Sequence, residues 1–329
     1  MAQVRASYPR FKREAQTPAI TLTQDDVAIL QHVFRHRFVR SDDLYRLFPG
    51  RSPDKVSRRL VRLYRNHYLD RPIAQIDRFR EGGSSAMVYG LDASGARYLK
   101  EQLNVAIGVA NWRARNRSYR RESLDHTLAV ASFMIDLETA CRNHPSIELI
   151  RLDEILAGAP EKTRRSPKAN GWPVPIRYAG ASATVQLVPD AIFGLRATHP
   201  DGKKVRSFTF VEIDRGTMTI APAKRVREGE GFLHRSSVLR KLLAYAASHE
   251  LGLHREHLGI PIARVLTLTR NAHRADAIRA AAAALVVKPQ TLPPGLFLFG
   301  ALLDRENPLD ALLTDAAGQP AALSSGRRR

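Results

Sequence analysis

The chain has 329 residues, and its 52 lysines and arginines outnumber its 32 acidic residues to give a formal net charge of +20. A hydrophobic fraction of 44% supports folded cores, and the length predicts two domains. The longest uncharged apolar run, residues 280–287, is too short to span a bilayer, and the N-terminus lacks the apolar core of a signal peptide. The single cysteine, Cys141, excludes an internal disulfide framework and a multi-cysteine metal site. We therefore expect a soluble cytoplasmic protein with no membrane partner, whose surplus of cations binds a polyanion.

The positive charge is concentrated in the first third of the chain. Residues 1–121 contain 24 lysines and arginines against 11 acidic residues, so they carry most of the net charge, and residues 1–20 form a basic N-terminal tail. Arginine-rich proteins without a nucleic-acid role are also common in GC-rich genomes. The arrangement of the charge therefore has to distinguish the two explanations.

Residues 21–110 have the pattern of a winged helix-turn-helix domain that binds DNA. Each predicted helix follows a residue that commonly caps a helix N-terminus, and a proline stands at the first position of the third helix. The segment between the first two helices is a short connector. The helices are predicted over 24–36, 42–48 and 53–67, with the N-caps Thr23, Ser41 and Ser52.

The third predicted helix has two contrasting faces. At about 100° per residue its apolar side chains, Val56, Leu60 and Leu63, fall on one side. Its polar and cationic side chains fall on the opposite arc: Lys55, Arg58, Arg59, Arg62, Arg65 and Asn66. This pattern is typical of a recognition helix in the DNA major groove, where arginine binds phosphate or guanine. The alternative is an ordinary surface helix with a solvated basic face.

The segments after the third helix predict a β-hairpin wing. Strands are expected over 71–79 and 86–91, so that Arg78 and Arg80 lie near the tip and contact the DNA backbone or minor groove. A closing helix over 92–103 would be suited to forming a homodimer. Residues 111–121, with five arginines, form a basic connector that is a hinge, a clamp on the DNA backbone or the first turn of the next helix.

Residues 122–303 alternate between helical and extended patterns, which predicts an α/β (α+β) domain. A hairpin turn at residues 199–202 joins two of its strands, and residues 157–173 and 215–230 are predicted to be irregular. Residues 304–329 form a C-terminal segment and tail, with a disordered end. Helices are predicted over 122–142, 231–248 and 272–286, and strands over 147–155, 184–195, 205–213, 262–269 and 296–302.

Three carboxylates lie in or at the ends of the predicted strands, where a charge is costly unless it is paired. Asp190 lies inside one strand, and Glu212 and Asp214 lie on one face at the end of the next. Such a group suits Mg²⁺ or Mn²⁺, because these cations prefer oxygen ligands. A metal held there would promote cleavage of a DNA phosphodiester. The alternative is a set of ion pairs with nearby cations: Arg215, Lys224 or Lys241.

The order Pro189-Asp190, followed by Glu212-x-Asp214 at the end of the next strand, resembles the PD-(D/E)xK nuclease core. In that superfamily a lysine occupies the position of Asp214, so the resemblance implies that Lys241 on the next helix takes its place, one turn from Tyr245. It also implies a restriction-endonuclease-like fold with a central mixed sheet. The implied catalytic residues are Asp190, Glu212, Asp214 and Lys241.

Over residues 21–303 the chain resembles the replication-relaxation family of plasmids and integrative elements. The resemblance rests on the winged-helix segment, residues 124–128 (LDHTL), residues 189–191 (PDA), residues 210–217 (FVEIDRGT) and Lys241 with Tyr245. It implies a bacterial DNA-binding protein, nucleoid or plasmid associated, that acts in replication control, DNA relaxation or mobilisation.

Two alternatives stay open under this resemblance: an active Mg²⁺-dependent endonuclease or nickase, and a repressor or recruitment scaffold whose nuclease-like domain is inactive. The expected partners are double-stranded DNA and a relaxase or replication protein. No organic cofactor is expected.

Overall fold

The computed structural model describes residues 10–13, 17–76, 86–105, 111–223, 231–286, 292, 295–301 and 307–324. The chain forms two compact units, Met1–Ile135 and Asp136–Arg329. The described residues contain eleven α-helices and a large mixed sheet of seven strands, which makes the fold a mixed α+β architecture. In this part of the chain, no helix is both long enough and apolar enough to cross a membrane.

The first unit is a small helical domain with a three-stranded antiparallel sheet in the order β1-β3-β2. Helix α6 begins in this unit and continues into the second one. The elements of this part of the chain are α1 (Gln24–His36), β1 (Phe38–Arg40), α2 (Ser41–Leu47), α3 (Pro53–Arg65), β2 (Leu69–Asp70), β3 (Val88–Leu91), α4 (Ala93–Leu103), α5 (Trp112–Arg117) and α6 (Arg121–Asn143).

The predicted caps of α1 and α3 are confirmed. Thr23 and Asp26 form a capping box, in which each side chain accepts a hydrogen bond from the other residue's backbone N–H. Ser52 caps α3, and Pro53 is its first residue. The cap predicted for α2 is wrong, because Ser41 is the first residue of the helix. Its backbone N–H donates to the carbonyl of Met87 at 2.8 Å, beside the β1–β3 pairing.

The strand predicted over residues 71–79 is not observed where the structure describes this segment. Residues Ile73–Gln75 form a 3-10 helix after Pro72. The side chain of Gln75 accepts a hydrogen bond from the Val88 N–H at 2.8 Å and donates to the Val88 carbonyl at 3.0 Å. The side-chain amide of Gln75 thus makes the hydrogen bonds to Val88 that the backbone of the predicted strand 71–79 would have made. The predicted wing tip, with Arg78 and Arg80, lies outside the described residues.

The arginine-rich segment 111–121 contains helix α5, which packs into the first unit. Trp112 is part of the core of this unit. Asn116 is fully buried and donates hydrogen bonds to the Asp70 carboxylate and the Leu91 carbonyl, both at 3.0 Å. The division between the two units falls within α6, after Ile135, which differs from the predicted connector.

The second unit contains the seven-stranded sheet, in the order β12-β11-β10-β9-β8-β7-β4, and a separate β5–β6 hairpin. Strands β8, β9 and β10 are parallel, and the other neighbours are antiparallel. Its strands are β4 (Ile147–Ile150), β5 (Trp172–Tyr178), β6 (Ala181–Leu187), β7 (Ala191–Thr198), β8 (Lys204–Asp214), β9 (Ala263–Thr269), β10 (Phe297–Ala301), β11 (Leu313–Asp315) and β12 (Pro320–Ala321). Its helices after α6 are α7 (Leu152–Ala157), α8 (Glu161–Arg164), α9 (Val238–Glu250), α10 (Leu253–Leu258) and α11 (Ala272–Leu285).

Several predicted elements of the second unit are corrected by the structure. The strand predicted over 184–195 is two strands, β6 and β7, which belong to different sheets and are separated by residues 188–190. Asp190 therefore lies just before β7 and not inside a strand. The strand predicted over 147–155 ends at Ile150 and is followed by a helix, and the helix predicted from residue 231 begins at Val238.

The C-terminal segment is more ordered than predicted over its described part. Strands β11 and β12 extend the sheet beyond β10, which supplies backbone partners for that edge. The guanidinium of Arg264 donates hydrogen bonds to the carbonyls of Ala322 (2.9 Å) and Leu323. The predicted hairpin turn over 199–202 is confirmed, with Gly202 at a φ of +79°.

Candidate functional site

The first candidate site is built around Glu212, a buried carboxylate on β8 of the second unit. Both of its partners lie on α9, one helical turn apart. The Tyr245 hydroxyl donates a hydrogen bond to Oε1 of Glu212 at 2.6 Å, and the Lys241 ammonium donates to Oε2. The contact between α9 and the end of β8 therefore brings together the glutamate, lysine and tyrosine that the sequence resemblance singled out.

Asp190 lies beside this pair because β7 begins next to the end of β8. Its backbone N–H donates to the Val211 carbonyl at 3.0 Å, and its Oδ2 accepts a hydrogen bond from the Ile213 N–H at 2.8 Å. Its other oxygen, Oδ1, lies 3.9 Å from Nζ of Lys241. One ammonium group thus lies against carboxylate oxygens from two different segments.

Burial and neighbouring charges perturb the pKa values of Glu212, Lys241 and Tyr245. Burial, and then the neighbouring charge of Asp190, raise the pKa of Glu212 to about 7. Burial by itself would lower the pKa of Lys241, but the charges of Glu212 and Asp190 outweigh it and raise that pKa. Burial and the charge of Glu212 raise the pKa of Tyr245, so the tyrosine remains a hydrogen-bond donor at neutral pH.

The structure pairs Asp214 with Arg274, at the start of α11. Nη2 of Arg274 donates to Oδ1 of Asp214 at 3.1 Å, Nε donates to Oδ2, and Nη2 also donates to the Met218 carbonyl at 2.6 Å. Both carboxylate oxygens therefore face a guanidinium. Ligand oxygens of Asp190, Glu212 and Asp214 do not all lie within 4.8 Å of one another, so these three residues do not form a compact set of metal ligands in this structure.

The donor set that would suit a divalent cation is the pair Asp190 and Glu212. Each presents one carboxylate oxygen to the same cation, the ammonium of Lys241. Mg²⁺ is commonly bound through one or two protein carboxylates while it keeps several waters, so this pair is chemically adequate. A divalent cation would compete with Lys241 for the same oxygens. Asp214 does not fit this role, because Arg274 occupies both of its oxygens.

Arg274 is a member of the site region that sequence reasoning missed. It follows β9, and β9 pairs in parallel with β8 so that Thr269 lies opposite Asp214. The N-cap Asn271 then starts α11 close to the aspartate. The available signal was an arginine just after a strand, but its partner could be identified only once the order of the strands was known.

The second candidate site is the cationic face of α3 in the first unit. The apolar stripe is buried as predicted, and Lys55, Arg58 and Arg62 on the other side are exposed. Arg65 and Asn66 are partly buried, and the Asn66 amide donates to the Arg62 carbonyl at 3.0 Å.

Arg59 has a different environment from the other cations of α3. It forms an ion pair with the fully buried Asp26 of α1, with Nε donating to Oδ1 at 2.7 Å. This residue therefore links α3 to α1 within the first unit.

A groove of about 580 Å³ lies between the start of α1 and α3. Its base contains apolar side chains, among them Ile29 and Val56. Its lining also includes Arg51, which donates to Asp25 at 2.7 Å, and the exposed cations Lys55, Arg58 and Arg62. The groove combines an apolar base with a concentration of positive charge.

Comparison with known families gives one match. A family model described as replication-relaxation matches residues 30–249, which is more than half of the chain. The matched range includes α3 and the cluster of Asp190, Glu212 and Lys241, whereas Arg274 lies beyond it. No curated protein and no solved structure matches the chain.

Proposed function

The chain belongs to the replication-relaxation family, and on that premise we propose that it is a DNA-binding protein of a plasmid or integrative mobile element. It acts in replication control, DNA relaxation or mobilisation in bacterial cells. The first unit is a winged helix domain that binds double-stranded DNA through α3. The second unit is a nuclease-like domain that places Asp190 and Glu212 near a DNA phosphodiester.

The two-sided α3 is the observation that carries this proposal. Val56, Leu60 and Leu63 are buried and fix the helix to the core of its unit. The opposite face presents exposed cations beside the cationic groove. A helix held in this way can enter a major groove, because its outer side chains reach phosphates and base edges without disturbing the core.

The arginines of α5 support the same proposal. Trp112 and Asn116 anchor this helix in the first unit. Arg113, Arg115 and Arg117 on the same helix are exposed. They add sequence-independent attraction for the phosphate backbone, which makes the affinity fall as the salt concentration rises.

A triple substitution of the exposed cations tests the DNA-binding role. Changing Lys55, Arg58 and Arg62 to alanine should weaken duplex binding by about tenfold or more, because three phosphate or base contacts are lost. The matched control changes Arg97 and Lys100, exposed cations of α4, to alanine. Equal affinities of the two variants at moderate salt, measured by fluorescence anisotropy, would contradict docking through α3.

A second candidate function is a Mg²⁺-dependent endonuclease or nickase. The observation that favours it is the convergence of Asp190 and Glu212 on one cation, with Tyr245 holding the other oxygen of Glu212. A bound Mg²⁺ would stabilise negative charge on the phosphate and activate water. Lys241, displaced from the carboxylates, would then supply positive charge to the phosphate, and Tyr245 would keep Glu212 in its orientation.

Cleavage of supercoiled plasmid in Mg²⁺ or Mn²⁺ tests this second function. The variants Asp190→Asn and Glu212→Gln keep the side-chain shapes and should both abolish nicking, whereas Glu250→Gln, at the exposed end of α9, should not. Nicking that persists in both cluster variants would exclude this site as its source. DNA binding without any cleavage would instead favour the repressor or recruitment scaffold, in which the same variants leave function intact.

A further inference from the structure

A pocket of about 250 Å³ lies in the second unit, and Lys241 is one of its lining residues. It lies between the end of β6 and the start of α9. Lys241 also contacts Glu212, so this residue connects the pocket to the carboxylate cluster. Its other lining residues include Val188, Met218, Ser236, Arg240 and Ala244.

The lining has two chemically different parts. Val188 is an exposed apolar side chain at the rim, and Met218 is half-buried, so together they offer an apolar surface to a ligand. Arg240 offers a cationic guanidinium beside it, whereas the Lys241 ammonium already donates to Glu212. In the described part of the chain no ion pair engages the Arg240 guanidinium, in contrast to Arg274. A ligand with a flat, weakly polar part and an anionic part would satisfy both halves of the lining.

The size of the pocket limits what can enter it. Pockets that enclose a drug-sized molecule have volumes of about 300–1,000 Å³, and this pocket is slightly smaller. A single nucleotide unit can place a base or sugar in such a space, but a stacked base pair cannot. Proteins that bind a base in a pocket require it to be unpaired or flipped out of the duplex.

We propose that this pocket binds one unpaired nucleotide of a DNA strand. The nucleotide's phosphate lies against Arg240, and its base or sugar contacts Val188 and Met218. DNA with an unpaired nucleotide is then the preferred ligand of this unit. This inference rests on the proposed function, because it takes DNA as the partner, and it adds the strand state that the second unit recognises.

The test measures binding of the full chain to two labelled DNAs in EDTA: a perfect duplex and the same duplex with a one-nucleotide flap. The wild-type protein should bind the flap DNA more tightly than the perfect duplex. Met218→Trp fills the apolar half of the pocket, and Arg240→Ala removes a cation. Each variant should lose about tenfold in affinity for the flap DNA, equivalent to about 1.4 kcal/mol, and keep its affinity for the duplex.

Arg235→Ala is the matched control, because Arg235 is an exposed arginine near the start of the same helix that does not line the pocket. It should keep the preference for the flap. A flap preference that both pocket variants retain would overturn the inference, as would an equal loss in the control. Arg240 is only partly buried, so its substitution remains informative if Met218→Trp fails to fold.

Two further measurements separate this inference from the proposed function. The variant with Lys55, Arg58 and Arg62 changed to alanine should bind duplex weakly and still distinguish flap from duplex. A wild-type protein that binds duplex without a flap preference would overturn the pocket inference alone, and one that binds no DNA would overturn both. Displacement of the flap DNA by an equal concentration of a deoxynucleoside monophosphate would assign the pocket to a free nucleotide and overturn the strand assignment.

Discussion

Replacement of Glu212 by glutamine tests the electrostatics of the buried cluster directly. The substitution keeps the shape of the side chain and an acceptor for the Tyr245 hydroxyl, but it removes the ionisable group. In the folded protein, burial and the charge of Asp190 raise the pKa of Glu212 to about 7, from an ordinary value of 4.5. The wild-type carboxyl is therefore largely neutral at pH 5 and largely ionised at pH 8, whereas the glutamine is neutral throughout.

The sign and size of the effect follow from linkage between protonation and folding. Below pH 4.5 the carboxyl is protonated in both states and does not change the stability. As the pH rises from 4.5 to 7, the unfolded chain loses this proton before the folded chain does, so the free energy of unfolding falls. A difference of 2.5 pKa units corresponds to about 3 kcal/mol at pH 8. For a unit of this size, that loss lowers the Tm by about 10 °C.

Thermal unfolding at a series of pH values measures this effect. We expect Glu212→Gln to unfold near the wild-type Tm at pH 5 and at a clearly higher Tm at pH 8. Glu250→Gln, which changes an exposed carboxylate near the end of the same helix, should follow the wild-type curve. If the wild-type protein and Glu212→Gln lose the same stability between pH 5 and pH 8, Glu212 titrates normally and the reasoning from burial is wrong.

Three other substitutions have distinct expected outcomes. Arg59→Ala leaves the buried Asp26 without a countercharge and should lower the free energy of unfolding by about 2 kcal/mol or more. The control Arg58→Ala should change it by no more than about 0.5 kcal/mol. Equal losses in the two variants would contradict the ion pair. Arg274→Ala unpairs Asp214 and should cost about 2 kcal/mol or more in the same assay, and Arg270→Ala, an exposed neighbour, serves as its control. A Cβ at Gly95 would lie 2.3 Å from a backbone carbonyl oxygen, so Gly95→Ala should cost about 1–3 kcal/mol, and an unchanged Tm would show that this contact relaxes easily.

In the first unit, local sequence signals were sufficient to predict the helix caps at Thr23 and Ser52 and the buried face of α3. Thr23 and Ser52 cap the helices that they were expected to cap, and the apolar stripe of α3 is buried. These features depend on neighbours a few residues apart, so periodicity and capping rules identify them. The same rules could not distinguish Arg59 from Arg58, because the ion pair with Asp26 joins two helices that are distant in sequence.

Tertiary pairing decided the organisation of the second unit. The extended pattern over residues 184–195, which is interrupted by Pro189 and Asp190, did not show that β6 and β7 belong to different sheets, because strand partners are set by long-range hydrogen bonds. The composition of the arginine-rich segment 111–121 likewise could not show that Trp112 and Asn116 anchor it in the core.

The sequence by itself determined the net charge, the helical pattern of the first unit and the order of Asp190, Glu212 and Lys241 along the chain. Only the tertiary structure decided how the acidic residues are paired. The parallel register of β8 and β9 and the start of α11 bring Arg274 to Asp214, and α9 brings Lys241 to Glu212. A charge in a strand must find a partner when it is buried, but the identity of that partner depends on which elements pack beside it.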